Sequence, residues 1–396
     1  MMTRTLRVAA CLLAAGMAVT VSAPAAVAGD HAEVQRVLDE AVTGGGMPGI
    51  LADVRDTRGA WFGTAGVADT ETGRKRRQQD RFRVGSITKA FTSTVVLKLA
   101  AEGRLRLDDS VEKWLPGVVR GNGHDGSKIT IRRLLNQTSG VFNYSLDKNL
   151  LAQYVGPAFL EHRFDAVRPE ELVKVAMANP PAFAPGKAWG YSNTNFVLAG
   201  MIIEKVTGRS YAEEVARRIT RPLGMTATYV PGNEAKLRGP HARHYSKLLL
   251  TEPDAKVYDV TDLNASGAWA AGGIVSTAGD LHTFYRALLG GRLLPPAQQK
   301  EMFTGVSTEG GQWIPNTTYG LGVFWQRLSC GVTAWGGGGM IHGSWTYAMG
   351  SRDGKRMVVS NINGDWGNPI GVPPAPAGQG TFTEMLGAEL CPRASR

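Results

Sequence analysis

Apolar positions recur along this chain with two different periods, and the change from one to the other divides it. Over 31–42, Val34, Val37, Leu38 and Val42 fall on one helical face. After the break Gly44-Gly45-Gly46, the segments 49–54 and 60–66 read as short strands around a turn at Asp56 and Gly59. From Ser86 to Glu102 the period is helical again, and Phe91, Val95, Leu99 and the apolar positions between them make it hydrophobic on most sides. That predicts a helix buried on most sides. Between Leu105 and Trp269 come short helical pieces at 130–135, 169–178, 194–206 and 211–219, separated by Gly, Pro and Asn turns. The rest is mixed. A helix over 277–289 has Thr277 as its cap and Leu281, Phe284, Tyr285 and Leu288 as its buried stripe. Segments 319–326, 340–350 and 356–362 read as strands, the last two joined through the hairpin signal Asp353-Gly354, and a final helix covers 381–390.

Strands near both ends with helices between them predict an α/β (α+β) chain, with an antiparallel sheet assembled from the two ends and flanked by helices. The expected α/β domain is 29–104 with 270–396, and 105–269 is expected as a mainly helical inserted lobe.

The first 28 residues are expected to be a signal peptide: Arg4 and Arg7 precede an apolar stretch, and Ala26-Val27-Ala28 supplies small residues for cleavage. The chain is therefore expected to be secreted, and no later run of about 20 apolar residues suggests a membrane anchor. Removing the leader takes two arginines and no acidic group, which lowers the formal charge from +10 by two. The basic run Arg74-Lys75-Arg76-Arg77 lies in a turn-like segment and reads as solvated surface; without an accompanying nucleic-acid motif it does not suggest a nucleic-acid partner. Beyond the leader only Cys330 and Cys391 remain, a pair expected to join in an oxidising compartment. No metal-ligand spacing is present; His241 and His244 read as surface or structural.

Candidate chemistry begins at Ser86-Ile87-Thr88-Lys89, where helical spacing puts a hydroxyl and an amine on one face and Gly85 allows a sharp entry. Serine needs a base to take its proton, and lysine is one only when burial keeps its amine partly neutral. The same four residues also describe a helix cap followed by a surface lysine. The strand-like lead, the glycine and the apolar helix that follows favour the chemical reading. Tyr191-Ser192-Asn193 follows a tight Pro-Gly, Trp-Gly loop, which would hold a phenol able to relay a proton and an amide able to orient Lys89 and a substrate. Finally, Gly336-Gly337-Gly338-Gly339 precedes Met340 as a loop entering a strand. So many glycines suit a place where something approaches the backbone closely.

These motifs, with Leu134-Leu135-Asn136-Gln137-Thr138-Ser139-Gly140 between the first two and the segment 269–281, resemble the penicillin-recognising serine hydrolases. The branch is that of DD-carboxypeptidases, class C beta-lactamases, D-aminopeptidases and D-amino-acid amidases. The resemblance implies a beta-lactamase/DD-peptidase-like fold, Ser86 as nucleophile, and Lys89 and Tyr191 as the acid/base pair. It implies substrate contacts from Asn193, Phe142, Trp269, Gly338, Gly339 and Met340, with the backbone N–H groups of Ser86 and Met340 as oxyanion hole. Ordinary core packing is the alternative for Phe142 and Trp269. No metal and no cofactor is implied. Where relatives carry His-Thr-Gly, His-x-Gly or Lys-Thr-Gly, this chain has Gly337-Gly338-Gly339, and His342 stands too far along to replace the lost histidine. The expected substrates are therefore D-aminoacyl esters, amides or peptides with an uncharged leaving side, hydrolysed or passed to an amine. A D-alanyl-D-alanine carboxypeptidase acting on peptidoglycan stem peptides, a beta-lactamase, and a non-catalytic penicillin- or peptidoglycan-binding protein are the alternatives.

Overall fold

The computed structural model describes residues 31–252, 254–366 and 377–392, so the expected leader over 1–28 lies outside the described residues. Eight antiparallel strands form one sheet: β1 (Gly49–Arg55), β2 (Ala60–Gly66), β3 (Val306–Ser307), β4 (Thr317–Tyr319), β5 (Phe324–Arg327), β6 (Thr333–Ile341), β7 (Ser344–Gly350) and β8 (Met357–Ile362). The longest helices among the described residues are α1 (Ala32–Thr43), α2 (Thr88–Ala101), α3 (Asn193–Thr207), α4 (Ala278–Leu289) and α5 (Ala377–Leu390), with shorter ones between them. In space the strands run β2-β1-β8-β7-β6-β5-β4-β3. The early and late parts of the chain meet where β1 pairs with β8, from Ile50 opposite Ile362 to Arg55 opposite Met357.

Period-two alternation sends Ile50, Ala52 and Val54 to one side of the sheet, where α1 and α5 cover them with Val34, Val37, Leu38, Phe382 and Met385. Leu51 faces the other way, into the core shared with Phe284 and Leu288 of α4. Asp53 lies on that same side, and His282 of α4 hydrogen-bonds its carboxylate at 3.1 Å. Behind α4 runs α2, buried at every position from Thr88 to Leu97, as its apolar composition predicts. A disulfide joins Cys330, in the turn between β5 and β6, to Cys391 just past α5, fastening the last helix to the sheet as expected.

Four readings of the sequence need correction. The strand expected over 319–326 is two strands, because the chain turns at Gly320–Gly322 over α2. A Cβ at Gly322 would stand 2.3 Å from Ser93 Oγ and 2.6 Å from the Lys89 carbonyl oxygen. The strand expected over 340–350 is broken by a tight turn at His342-Gly343, where Gly343 has φ +73°. Among the described residues, segment 229–263 carries no helix. It is held by the buried Arg83 guanidinium, which donates to the carbonyls of Ala235, Thr261 and Leu263 at 2.7, 2.7 and 3.0 Å. Nor is the basic run all solvated: Arg76 is buried and donates to Asn361 Oδ1 at 2.7 Å. Reading the run by composition missed that one of its four residues turns inward.

Candidate active site

Ser86 sits in a single 3-10 turn, Gly85–Ile87, that feeds directly into α2. The turn starts in the left-handed region, with Gly85 at φ +53°. A side chain there would also collide with Met340, whose backbone nitrogen would lie 2.6 Å from a Cβ. Gly339 mirrors this, since a Cβ on it would meet Ser86 N and the Val84 carbonyl oxygen, both at 2.3 Å. Two glycines thus let β6 lie against the nucleophile turn. β5 pairs with β6 only as far as Gly336, so residues 337–341 have no neighbouring strand on that edge among the described residues. This packing sets the Met340 backbone against the turn that carries Ser86, beside the open edge.

The glycine run is therefore part of β6 and not a loop before it, and each of its glycines meets this chain's own atoms. A Cβ on Gly338 would stand 2.6 Å from the Tyr347 ring, and one on Gly337 would stand 2.5 Å from Tyr285 Oη but 3.6 Å from its Cζ. The Tyr285 hydroxyl, carried by α4, is buried with no hydrogen-bond partner among the described residues. Leaving a buried hydroxyl unsatisfied costs about 1–3 kcal/mol. Tyr285→Phe is accordingly expected to raise the melting temperature, and Gly337→Ala to lower it by overpacking. The double variant should recover most of the loss, because only the hydroxyl stands in the way. Thermal melts of the three variants check this; additive effects would contradict it.

One helical turn on from Ser86, Lys89 Nζ lies 3.0 Å from Ser86 Oγ, 2.8 Å from Asn193 Oδ1 and 2.8 Å from the Ala271 carbonyl oxygen. Burial holds its pKa well below that of an ordinary lysine. In the neutral state the amine gives its two hydrogens to Asn193 and Ala271, and its lone pair faces the serine hydroxyl. Tyr191 completes the group, its hydroxyl donating to Ser86 Oγ at 2.6 Å. Burial raises the Tyr191 pKa, partly offset by that hydrogen bond, so the phenol keeps its proton. Ser86 can thus accept from one neighbour and donate to the other, which is the array an attacking hydroxyl needs.

The loop carrying Tyr191 is positioned from the segment between the first two motifs. Gln137, itself left-handed at φ +66°, accepts from Ser192 N at 3.0 Å and from Asn195 Nδ2 at 2.6 Å. Asn143 Oδ1 accepts from Asn193 N at 3.1 Å, and Asn193 Nδ2 donates to Ser145 Oγ at 3.2 Å. With both ends of its amide bound, Asn193 aims its oxygen at Lys89. Phe142 is half-buried against the core and its carbonyl accepts from Thr194 Oγ1 at 2.7 Å. The Trp269 ring packs onto Gly200 of α3 and edge-on to Tyr211, 5.4 Å away, which is the core-packing alternative. Its backbone, at φ +32°, opens the turn whose Ala270 and Ala271 carbonyls accept from Thr92 and Lys89. His342 lies outside the group: it is buried, stacked on Phe159 at 3.8 Å and hydrogen-bonded to the Tyr154 carbonyl.

Sequence reasoning missed Gln137, Asn143, Ser145 and the Ala271 carbonyl as supports. Gln137 lies inside a flagged motif, but nothing local pairs it with Ser192. Among the described residues no cluster of three His, Cys, Asp or Glu side chains could hold a metal ion, and no helix is long and apolar enough to cross a membrane.

Comparison with known proteins agrees with this geometry. The family model described as beta-lactamase matches residues 34–370. The structure of a D-stereospecific amidohydrolase from a Streptomyces species is 51% identical with a TM-score of 0.82, covering 91% of this chain and 99% of that one. A D-amino acid amidase from Ochrobactrum anthropi, solved with L-phenylalanine amide, is 26% identical with a TM-score of 0.76, over 90% and 97% of the two chains. A penicillin-binding protein of Bacillus subtilis is 30% identical over 65% of this chain and 55% of its own length. The chain spans about half the length of the curated relatives it matches. A match across nearly the whole fold, together with the serine, lysine and tyrosine gathered at its centre, places this chain in the beta-lactamase family, the penicillin-recognising serine hydrolases.

Proposed function

We propose that the chain is a secreted serine hydrolase that forms an acyl-enzyme at Ser86 and acts on D-aminoacyl amides, esters or peptides. The observation that carries the chemistry is the pair of contacts on Ser86 Oγ, Lys89 Nζ at 3.0 Å and Tyr191 Oη at 2.6 Å. Ser86 Oγ attacks the substrate carbonyl while its proton passes to the neutral Lys89 amine. The oxyanion faces the N–H groups of Ser86 and Met340. As the bond to the leaving group breaks, Tyr191 donates its proton to the departing nitrogen or oxygen, and the proton held by Lys89 restores the phenol. Water releases the acid by the reverse sequence; an amine in its place would form a peptide bond.

The substrate class rests on two supports. The strand edge that would meet the leaving group offers Gly337, Gly338 and Gly339, with no side chain to anchor a carboxylate. Each charged hydrogen bond so forgone is worth about 1.5–3 kcal/mol, which favours neutral leaving sides. The likeness to the Streptomyces D-stereospecific amidohydrolase supports the chirality. Secretion is supported by the charged and apolar pattern of the first 28 residues and by the disulfide.

Initial rates on D- and L-phenylalanine methyl esters and amides, beside diacetyl-Lys-D-Ala-D-Ala, test the assignment. The D-phenylalanine derivatives are expected to dominate. Faster turnover of the D-Ala-D-Ala peptide would transfer the assignment to a carboxypeptidase, and labelling of Ser86 by a fluorescent penicillin without turnover of any substrate would make it a binding protein.

A further inference from the structure

The hydrogen bond to Ser86 fixes only the tip of the Tyr191 phenol; the ring must be held by what touches its faces. Lys89 Nζ stands 4.7 Å from its centroid. The other close partner is Trp313, stacked on it at 4.7 Å with 17° between the planes. Trp313 comes from the loop between β3 and β4, at the far edge of the sheet. That loop is itself built around rings: Trp313 lies 5.4 Å from Trp189, 6.3 Å from Tyr319 and 6.1 Å from Phe324. Gly311 lets the loop close over Trp189, since a Cβ there would stand 2.5 Å from that indole. Among the described residues no polar group meets the Trp313 indole N–H, so apolar packing, with these rings in it, sets its position. Stacking of this kind has a defined geometry.

We infer that Trp313 is a positioning residue for Tyr191: its stacked face keeps the phenol pointed at the departing atom and shields it from water. The inference rests on the acyl-enzyme reading and deepens it. It concerns one step, the breaking of the bond to the leaving group. An amide nitrogen must gain a proton as the carbon–nitrogen bond breaks, and Tyr191 gives that proton. A nitrophenolate departs as an anion and needs none. Loss of the stack should therefore fall selectively on the amide.

The experiment compares kcat/KM for D-phenylalanine amide and D-phenylalanine p-nitrophenyl ester, which share one acyl group. Trp313→Leu keeps bulk without a ring, and Trp313→Phe keeps a ring. For Trp313→Leu the amide-to-ester ratio is expected to fall about tenfold or more, a fraction of what general acid catalysis supplies. Trp313→Phe is expected to hold the ratio within about threefold, and Tyr191→Phe to show the same selective pattern more strongly. Should Trp313→Leu fail to melt cooperatively, Trp313→Met replaces it. An unchanged ratio, or equal loss on both substrates as a wall of the acyl pocket would give, overturns this inference alone. No turnover of either substrate by the unaltered protein overturns the acyl-enzyme reading and this inference with it.

Discussion

Replacing Lys89 by Ala is expected to lower the rate of Ser86 acylation by about three orders of magnitude or more, the upper part of the range for a positioned base, while the protein stays folded. Lys89 is 1% exposed and its amine hydrogen-bonds Ser86, Asn193 and Ala271; among the described residues the other side chain on Ser86 Oγ is Tyr191, a phenol that keeps its proton and so cannot take the serine's. Stability should not follow activity, because a buried amine carries a desolvation cost that its removal relieves. The pH dependence has a definite sign. Only the neutral amine is a base, so acylation rises with pH as Lys89 loses its proton and falls as it is protonated. Burial depresses that pKa, which places the rise below the ordinary lysine value of 10.5. Stopped-flow acylation across pH checks both statements; a near-normal rate in Lys89→Ala would remove it from the mechanism.

Tyr191→Phe is expected to be nearly as damaging, but with a different signature. The variant keeps the stack on Trp313 and the contact with Lys89 and loses only the donor to Ser86 Oγ. Amide hydrolysis should fall by about 10²–10⁴, the contribution of a general acid, and ester hydrolysis by less as the leaving group becomes more acidic. Burial raises the Tyr191 pKa, so a phenol and not a phenolate is present at neutral pH. A steady-state comparison of amide, methyl ester and nitrophenyl ester reads this gradient. Equal losses on all three would mean that Tyr191 serves binding or folding instead.

What could be read from the sequence, and what could not, follows from distance along the chain. Ser86 and Lys89 are three residues apart in one continuous helical segment, and apolar residues spread around α2 announce its burial, so both placement and depressed pKa were accessible. The sheet built from both ends was legible because β1 and β8 are short segments rich in apolar residues near the two ends of the chain. Tyr191 was legible as a motif, but not what holds it. Gln137 reaches Ser192 across 55 residues and Trp313 comes from a loop between two strands too short to show a period. The glycine run was read as clearance for a substrate alone, and the Tyr285 hydroxyl and the Tyr347 ring add a second reason, from within the core, for the missing side chains. Arg76 was misread because charge predicts exposure only when no buried acceptors wait for it, and Asn361 and Asn363 lie far along the chain.

The most direct test is to mix the protein briefly with D-phenylalanine p-nitrophenyl ester, quench in acid, and locate the added mass by peptide mapping. A D-phenylalanyl group on the peptide containing Ser86, formed fast in the unaltered protein and slowly when Lys89 is alanine, is the predicted result. Ester hydrolysis at full rate with no adduct at Ser86, or with the adduct on another side chain, would contradict it.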